Sequence, residues 1–176
     1  MLRQWLIILL FALSQAHDLT DAPPLWVFDI DTTTDSDLHL STTATKLTFI
    51  AFWAPWDEDS TKLIEDWKQA YTVDPTVRMI TIALDDKEDT LAYVKKHDCQ
   101  WIHASADNIK NKRFIEYFEF ELDIPHMMIF YNTKFLGILN NNQSLPLKEL
   151  FEYHHKSKSD PNIQKLLQEK LLQQSN

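Results

Sequence analysis

Three consecutive acids and a hydroxyl, Asp57-Glu58-Asp59-Ser60, are the densest chemistry in this sequence. An apolar run precedes them and helical spacing follows, so they fall in the first turn of a helix. Carboxylates there accept from backbone N–H groups that no helical carbonyl reaches, and they face the positive end of the helix dipole. Each such placement stabilises by roughly 0.3–1 kcal/mol. The sharper alternative is a cation or basic-peptide site made by Asp57, Glu58 and Asp59. Consecutive acids at a helix start cannot all converge on one ion, so helix capping is preferred.

Other reactive residue types offer less. Asp29, Asp31, Asp35 and Asp37 are dense in carboxylate but lack the glycine and terminal glutamate of a calcium loop, so they read as a solvated segment. His154-His155 sits near a helix end, where a cation suits the dipole, and further zinc ligands are not close by. Of the two tryptophans at Trp53 and Trp56, one is expected in the core and the other as a partly exposed shelf. Spacing identifies no Ser-His-Asp arrangement. Gly137 is the one glycine, which excludes glycine-rich phosphate loops. Neither a cofactor nor a metal is expected.

Cys99 is the one cysteine, so an intramolecular disulfide cannot form. Its neighbours Trp101 and Ile102 favour burial; a residual single-cysteine redox role through Cys99 is the alternative. The net charge of −9 carries no basic footprint for nucleic acid. It favours solubility and basic partners.

Residues 1–16 read as a secretory signal: Arg3, an apolar Leu6–Leu13, then Ser14-Gln15-Ala16 as a cleavage site. The apolar run is about half the ~20 residues that span a bilayer, so no membrane span is expected after cleavage. The triplet Asn142-Gln143-Ser144 is a glycosylation acceptor in a polar loop, in keeping with an extracellular or endoplasmic-reticulum destination.

The elements that must position these residues follow from periodicity. Residues 17–45 form a lead-in with one strand at Leu25–Ile30 and a loop over 31–45. Lys46–Trp53 is a buried strand. Helical spacing then carries Leu63, Ile64, Trp67, Ala70 and Tyr71 to a stop at Asp74-Pro75. Val77–Leu84 is a strand, and Asp85-Asp86 start a helix reaching His97. Gln100–Ala104 is a short strand and Asn108–Phe120 a helix. Met127–Tyr131 and Phe135–Leu139 form a hairpin around Asn132-Thr133-Lys134, which lacks the usual turn glycine. A helix follows Ser144, and Asp160-Pro161 starts a last one with an apolar stripe over Ile163, Leu166, Leu167 and Leu171. Strands alternating with helices imply an α/β layered domain over 46–156, with a helical extension over 157–176.

The frame Phe52-Trp53-Ala54-Pro55-Trp56 and the step Ile124-Pro125 resemble the thioredoxin-like superfamily, in its TlpA, tryparedoxin and nucleoredoxin-like branch. The resemblance spans roughly residues 25–155. It implies a three-layer sandwich with a central mixed sheet, flanking helices and a cis bond at Pro125. It also implies that Asp57 and Ser60 stand where the family carries its two cysteines. Thiolate attack and resolution by a second cysteine cannot run on a carboxylate and a hydroxyl. The expectation is therefore a non-catalytic protein- or peptide-binding or chaperone-like module. Its groove would be formed by Trp56, Asp57, Ile124, Pro125 and His126, and the resemblance sets His126 across it from the acids Asp57, Glu58 and Asp59, as a cation or basic-peptide site would need. Self-association through 161–173 is the alternative from another class.

Overall fold

The computed structural model describes residues 18–31, 34–42, 47–118, 124–140, 151–152 and 154–156. The leader at 1–16, the triplet at Asn142 and the stripe over 161–173 lie outside the described residues. In chain order the elements are β1 (Leu25–Val27), β2 (Ser36–Leu38), β3 (Leu47–Trp53), α1 (Glu58–Val73), β4 (Arg78–Ala83), α2 (Lys87–Lys96), β5 (Ile102–Ser105), α3 (Ile109–Tyr117), β6 (His126–Tyr131) and β7 (Lys134–Asn140). Residues 151–152 and 154–156 that follow are helical.

The main sheet has the order β5-β4-β3-β6-β7. Strand β3 lies in the middle, and all seven of its residues are buried. Ile50 pairs with Ile80 of the parallel β4 on one side and with Met128 of the antiparallel β6 on the other. Coverage of both faces explains why β3 is apolar at every position but Thr48 rather than alternating.

Side-chain alternation along β3 feeds two cores. Phe49, Ala51 and Trp53 pack with Ile64, Trp67 and Ala70 of α1, Val94 of α2 and Phe151. The Phe49 and Phe151 rings stack at 5.2 Å. Ile50 and Phe52 point to the other face and meet Phe114 of α3 and its C-cap Phe118 with Leu25 and Val27 of β1. Burying each such large side chain contributes roughly 1.5–3 kcal/mol, so the two faces together carry the fold.

The segment expected as a loop over 31–45 instead contains β2 and a 3-10 turn at Leu40–Thr42. β2 pairs antiparallel with β1, Trp26 opposite Asp37, in a two-stranded sheet outside the main one. Ser-Asp-Leu has no alternating apolar face to announce a strand; its conformation comes from the pairing. Asn132 and Thr133 both take positive φ, 48° and 71°, the pattern of a two-residue type I′ hairpin turn. A β-branched residue there is costly. Residues 18–20 brace it: the Leu19 N–H donates to the Thr133 carbonyl at 2.9 Å, and the Thr20 and Thr133 hydroxyls meet at 3.1 Å.

Candidate functional site

Because β3, β4 and β5 run parallel, their C-terminal ends share one edge, and the starts of α1, α2 and α3 line it. β6 runs the other way and begins at that edge, with His126 opposite Phe52. Ile124 and Pro125, joined by a cis peptide bond, therefore enter beside the turn from β3 into α1.

That turn is bonded within itself. Asp57 is the N-cap of α1, and its Oδ2 accepts from the Ser60 N–H at 2.7 Å. Its own N–H donates to the Ala54 carbonyl at 3.2 Å. Ser60 is fully buried, and its Oγ accepts from the Ala54 N–H at 3.3 Å. The Asp57 carboxylate thus satisfies one of the open N–H groups of the first turn, and the Ser60 hydroxyl ties that turn back to the end of β3 through the Ala54 N–H. Glu58 and Asp59 point to solvent and pair with Lys62. Trp56 is 68% exposed, one of two large apolar side chains so open among the described residues.

His126 is buried, its ring edge-on to Phe52 at 6.2 Å. It shares the face of Phe52, on the α3 side of the sheet, whereas α1 covers the opposite face. The structure therefore brings Trp56, Asp57, Ile124 and Pro125 to one edge and sets the His126 ring beneath it, away from the three acids. Pro125 is buried and Ile124 half-buried.

Cys99 is remote from this edge. It sits in the core between α1 and α2, fully buried, and burial pushes its thiol up to about 12. At neutral pH it is a protonated thiol with little nucleophilic character. Its carbonyl accepts from His103 Nε2 at 2.8 Å, while His103 Nδ1 meets the Thr81 hydroxyl at 2.9 Å. Trp101 Nε1 donates to the same hydroxyl at 3.1 Å. Desolvation pushes the His103 imidazole down to about 4. The chain is neutral and saturated: Trp101 to Thr81, Thr81 to His103, His103 to Cys99.

Several polar residues gain roles that local spacing does not reveal. His154, assigned from sequence to a helix-end position, is buried against Asp74, Nδ1 to Oδ2 at 3.0 Å across 80 positions. Asp35, in a segment whose composition reads as a solvated loop, accepts from Lys87 Nζ at 2.7 Å. Asn111 is fully buried: its Oδ1 accepts from the Trp26 N–H at 2.8 Å. Its Nδ2 donates to the Trp26 carbonyl at 3.0 Å and the Ser105 carbonyl at 2.7 Å. The position of Asn111 on the apolar side of α3, with Phe114 and Phe118, was the available signal for it. The carboxylates of Asp85, Asp86 and Asp89 lie within 4.8 Å of one another, and Asp86 is occupied as the N-cap of α2.

The sheet order, the two covered faces and the cis step before β6 can be set beside known structures. The thioredoxin domain of a Bacteroides vulgatus thiol-disulfide oxidoreductase superposes with a TM-score of 0.59 at 15% identity, covering 74% of this chain and 92% of that one. This is a thioredoxin-like fold. A secreted Mycobacterium tuberculosis disulfide oxidoreductase gives a TM-score of 0.53 at 17% identity, covering 71% and 92% of the two chains. Tryparedoxin II from C. fasciculata gives 0.52 at 16%, covering 69% and 81%. No protein-family model and no curated protein matches the sequence. These likenesses establish the fold, an α/β sandwich with a mixed central sheet. A chain with one cysteine cannot form the intramolecular disulfide of a dithiol oxidoreductase. Among the described residues, no helix is long and apolar enough to cross a membrane.

Proposed function

We propose that this chain is a non-catalytic thioredoxin-fold module of the secretory pathway that binds an extended segment of a protein partner, as a chaperone or adaptor does. The shelf consists of Trp56, Asp57, Ile124 and Pro125, with His126 supporting it from below. The observation that carries the reading is the contrast inside one turn: Asp57 and Ser60 are consumed by backbone hydrogen bonds, while Trp56 beside them is 68% exposed. An exposed tryptophan on a turn pinned by three internal hydrogen bonds is a binding anchor of low entropic cost. The secretory assignment rests on the leader-like residues 1–16 and on Asn142.

A redox role through Cys99 is disfavoured by its burial and its raised pKa. A native-state alkylation assay should leave Cys99 unmodified until the protein unfolds.

The test is an array of extended peptides probed with the wild-type chain and with Trp56→Ala. Loss of a hot-spot tryptophan costs about 2 kcal/mol or more, roughly 30-fold in affinity. The wild type should select a subset of peptides that the variant releases. Identical patterns from both proteins would overturn the assignment of the shelf.

A further inference from the structure

Two strands away from Trp56, on the same edge, the β1–β2 hairpin and the starts of α2 and α3 enclose a cleft of about 200 Å³. Its walls include Trp26, Phe28, Asp35, Lys87, Ser105 and Asp107. The volume lies below the ~300–1,000 Å³ of pockets for drug-sized molecules and suits one side chain. The walls are fixed. Asn111 holds Trp26 through both of its backbone groups, and the Ser105 hydroxyl stands within hydrogen-bond reach of Asp107 Oδ1 and of the Asp85 carbonyl, to one of which its single proton goes.

The chain's own lysines display the chemistry this cleft accommodates. Lys110 Nζ stands 3.2 Å from the centroid of the Trp26 ring, and Lys87 Nζ 5.3 Å from that of Phe28. Lys87 also pairs with Asp35 at 2.7 Å. A cation between an aromatic face and a carboxylate is a favourable combination. Lys87 accounts for Asp35. Asp107, an exposed residue of the lining, has no cation paired with it among the described residues. Ile109, on the rim, is 70% exposed and offers an apolar neighbour.

We infer that this cleft takes the guanidinium of an arginine in an extended, partly apolar segment of a protein partner, seated on Asp107 beside the hairpin aromatics. Arginine suits it better than lysine, because a planar fork can bridge a carboxylate and lie on an aromatic face at once. Lys87, over Phe28, and Lys110, over Trp26, are then internal competitors that the guanidinium displaces from an aromatic face. The site is separate from the Trp56 shelf, and its failure would leave that shelf untouched.

The experiment uses the full chain and a fluorescein-labelled pentapeptide with one central arginine between leucines, read by anisotropy. A twin peptide carries citrulline, which keeps the shape and removes the charge. The arginine peptide should bind and the citrulline peptide should not. Asp107→Asn, which preserves an acceptor for Ser105, should weaken binding about tenfold, and Lys87→Ala should tighten it several-fold. Asp66→Asn, an equal charge change on the exposed side of α1, should alter it by less than about twofold. Thermal melts confirm that each variant is folded. Equal binding of the two peptides would overturn the proposal. So would equal losses from Asp107→Asn and Asp66→Asn, or absence of arginine-peptide binding up to ~1 mM.

Discussion

The turn into α1 and the corner where the hairpin meets β5 and α3 sit on the same edge, yet they are held in opposite ways. At the first, Ala54, Asp57 and Ser60 satisfy one another within seven residues, and what reaches solvent is an indole. At the second, the bonds span the sequence: Asn111 to Trp26 over 85 positions, Lys87 to Asp35 over 52, His103 to Thr81 over 22. Local bonding makes a self-contained platform that keeps its shape without the rest of the edge. Distant bonding makes a corner whose integrity depends on three elements arriving together. The first arrangement suits a rigid anchor for a partner; the second suits a cleft whose walls are pinned from behind.

The contrast breaks first at Asn111. Asn111→Ala leaves two carbonyls and one N–H without their partner in a buried place, at roughly 1–3 kcal/mol per group. The expected loss is on the order of 3 kcal/mol or more in urea unfolding. A loss below that from Ser60→Ala would reverse the ranking of the two regions.

His103 gives the next largest effect, and it depends on pH. The unfolded imidazole takes a proton near its ordinary 6.5, whereas the folded one is pushed down to about 4. Between those values the unfolded chain binds more protons, so stability falls as pH falls from about 6.5 towards 4, by up to roughly 3 kcal/mol. Above that window the group contributes no slope. Unfolding free energy across pH 7 to 4 should show the decline, and His103→Gln should flatten it. A wild-type curve with no such slope would remove His103 from the account of the corner.

The platform is more tolerant. Ser60→Ala should cost about 1–2 kcal/mol, the penalty for leaving the Ala54 N–H buried and unpaired. Asp57→Ala should cost about 1 kcal/mol, and Asp57→Ser only a few tenths, because serine also caps a helix. Equal losses from Asp57→Ala and Asp57→Ser would mean that Asp57 does more than cap.

The same contrast explains what the sequence could tell. The β3 run, the amphipathic spacing of Ile64, Trp67 and Ala70 and the capping acids are written in consecutive residues, and the sheet and α1 follow from them. β2 was illegible because Ser36-Asp37-Leu38 carries no apolar alternation and becomes a strand only by pairing with β1. The hidden roles of His154 and Asp35 have the same origin: each partner, Asp74 and Lys87, lies 50 or more positions away. The face on which the His126 ring lies was equally hidden, because it follows from the register with Phe52.

Amide hydrogen exchange, with and without the tightest peptide from the array, tests the central claim most directly. Binding at the Trp56 shelf should slow exchange over residues 54–60 and at Ile124 and His126–Met128, while Ile109–Tyr117 stays unchanged. Protection confined to α3, or absent from both stretches at saturating peptide, would contradict it.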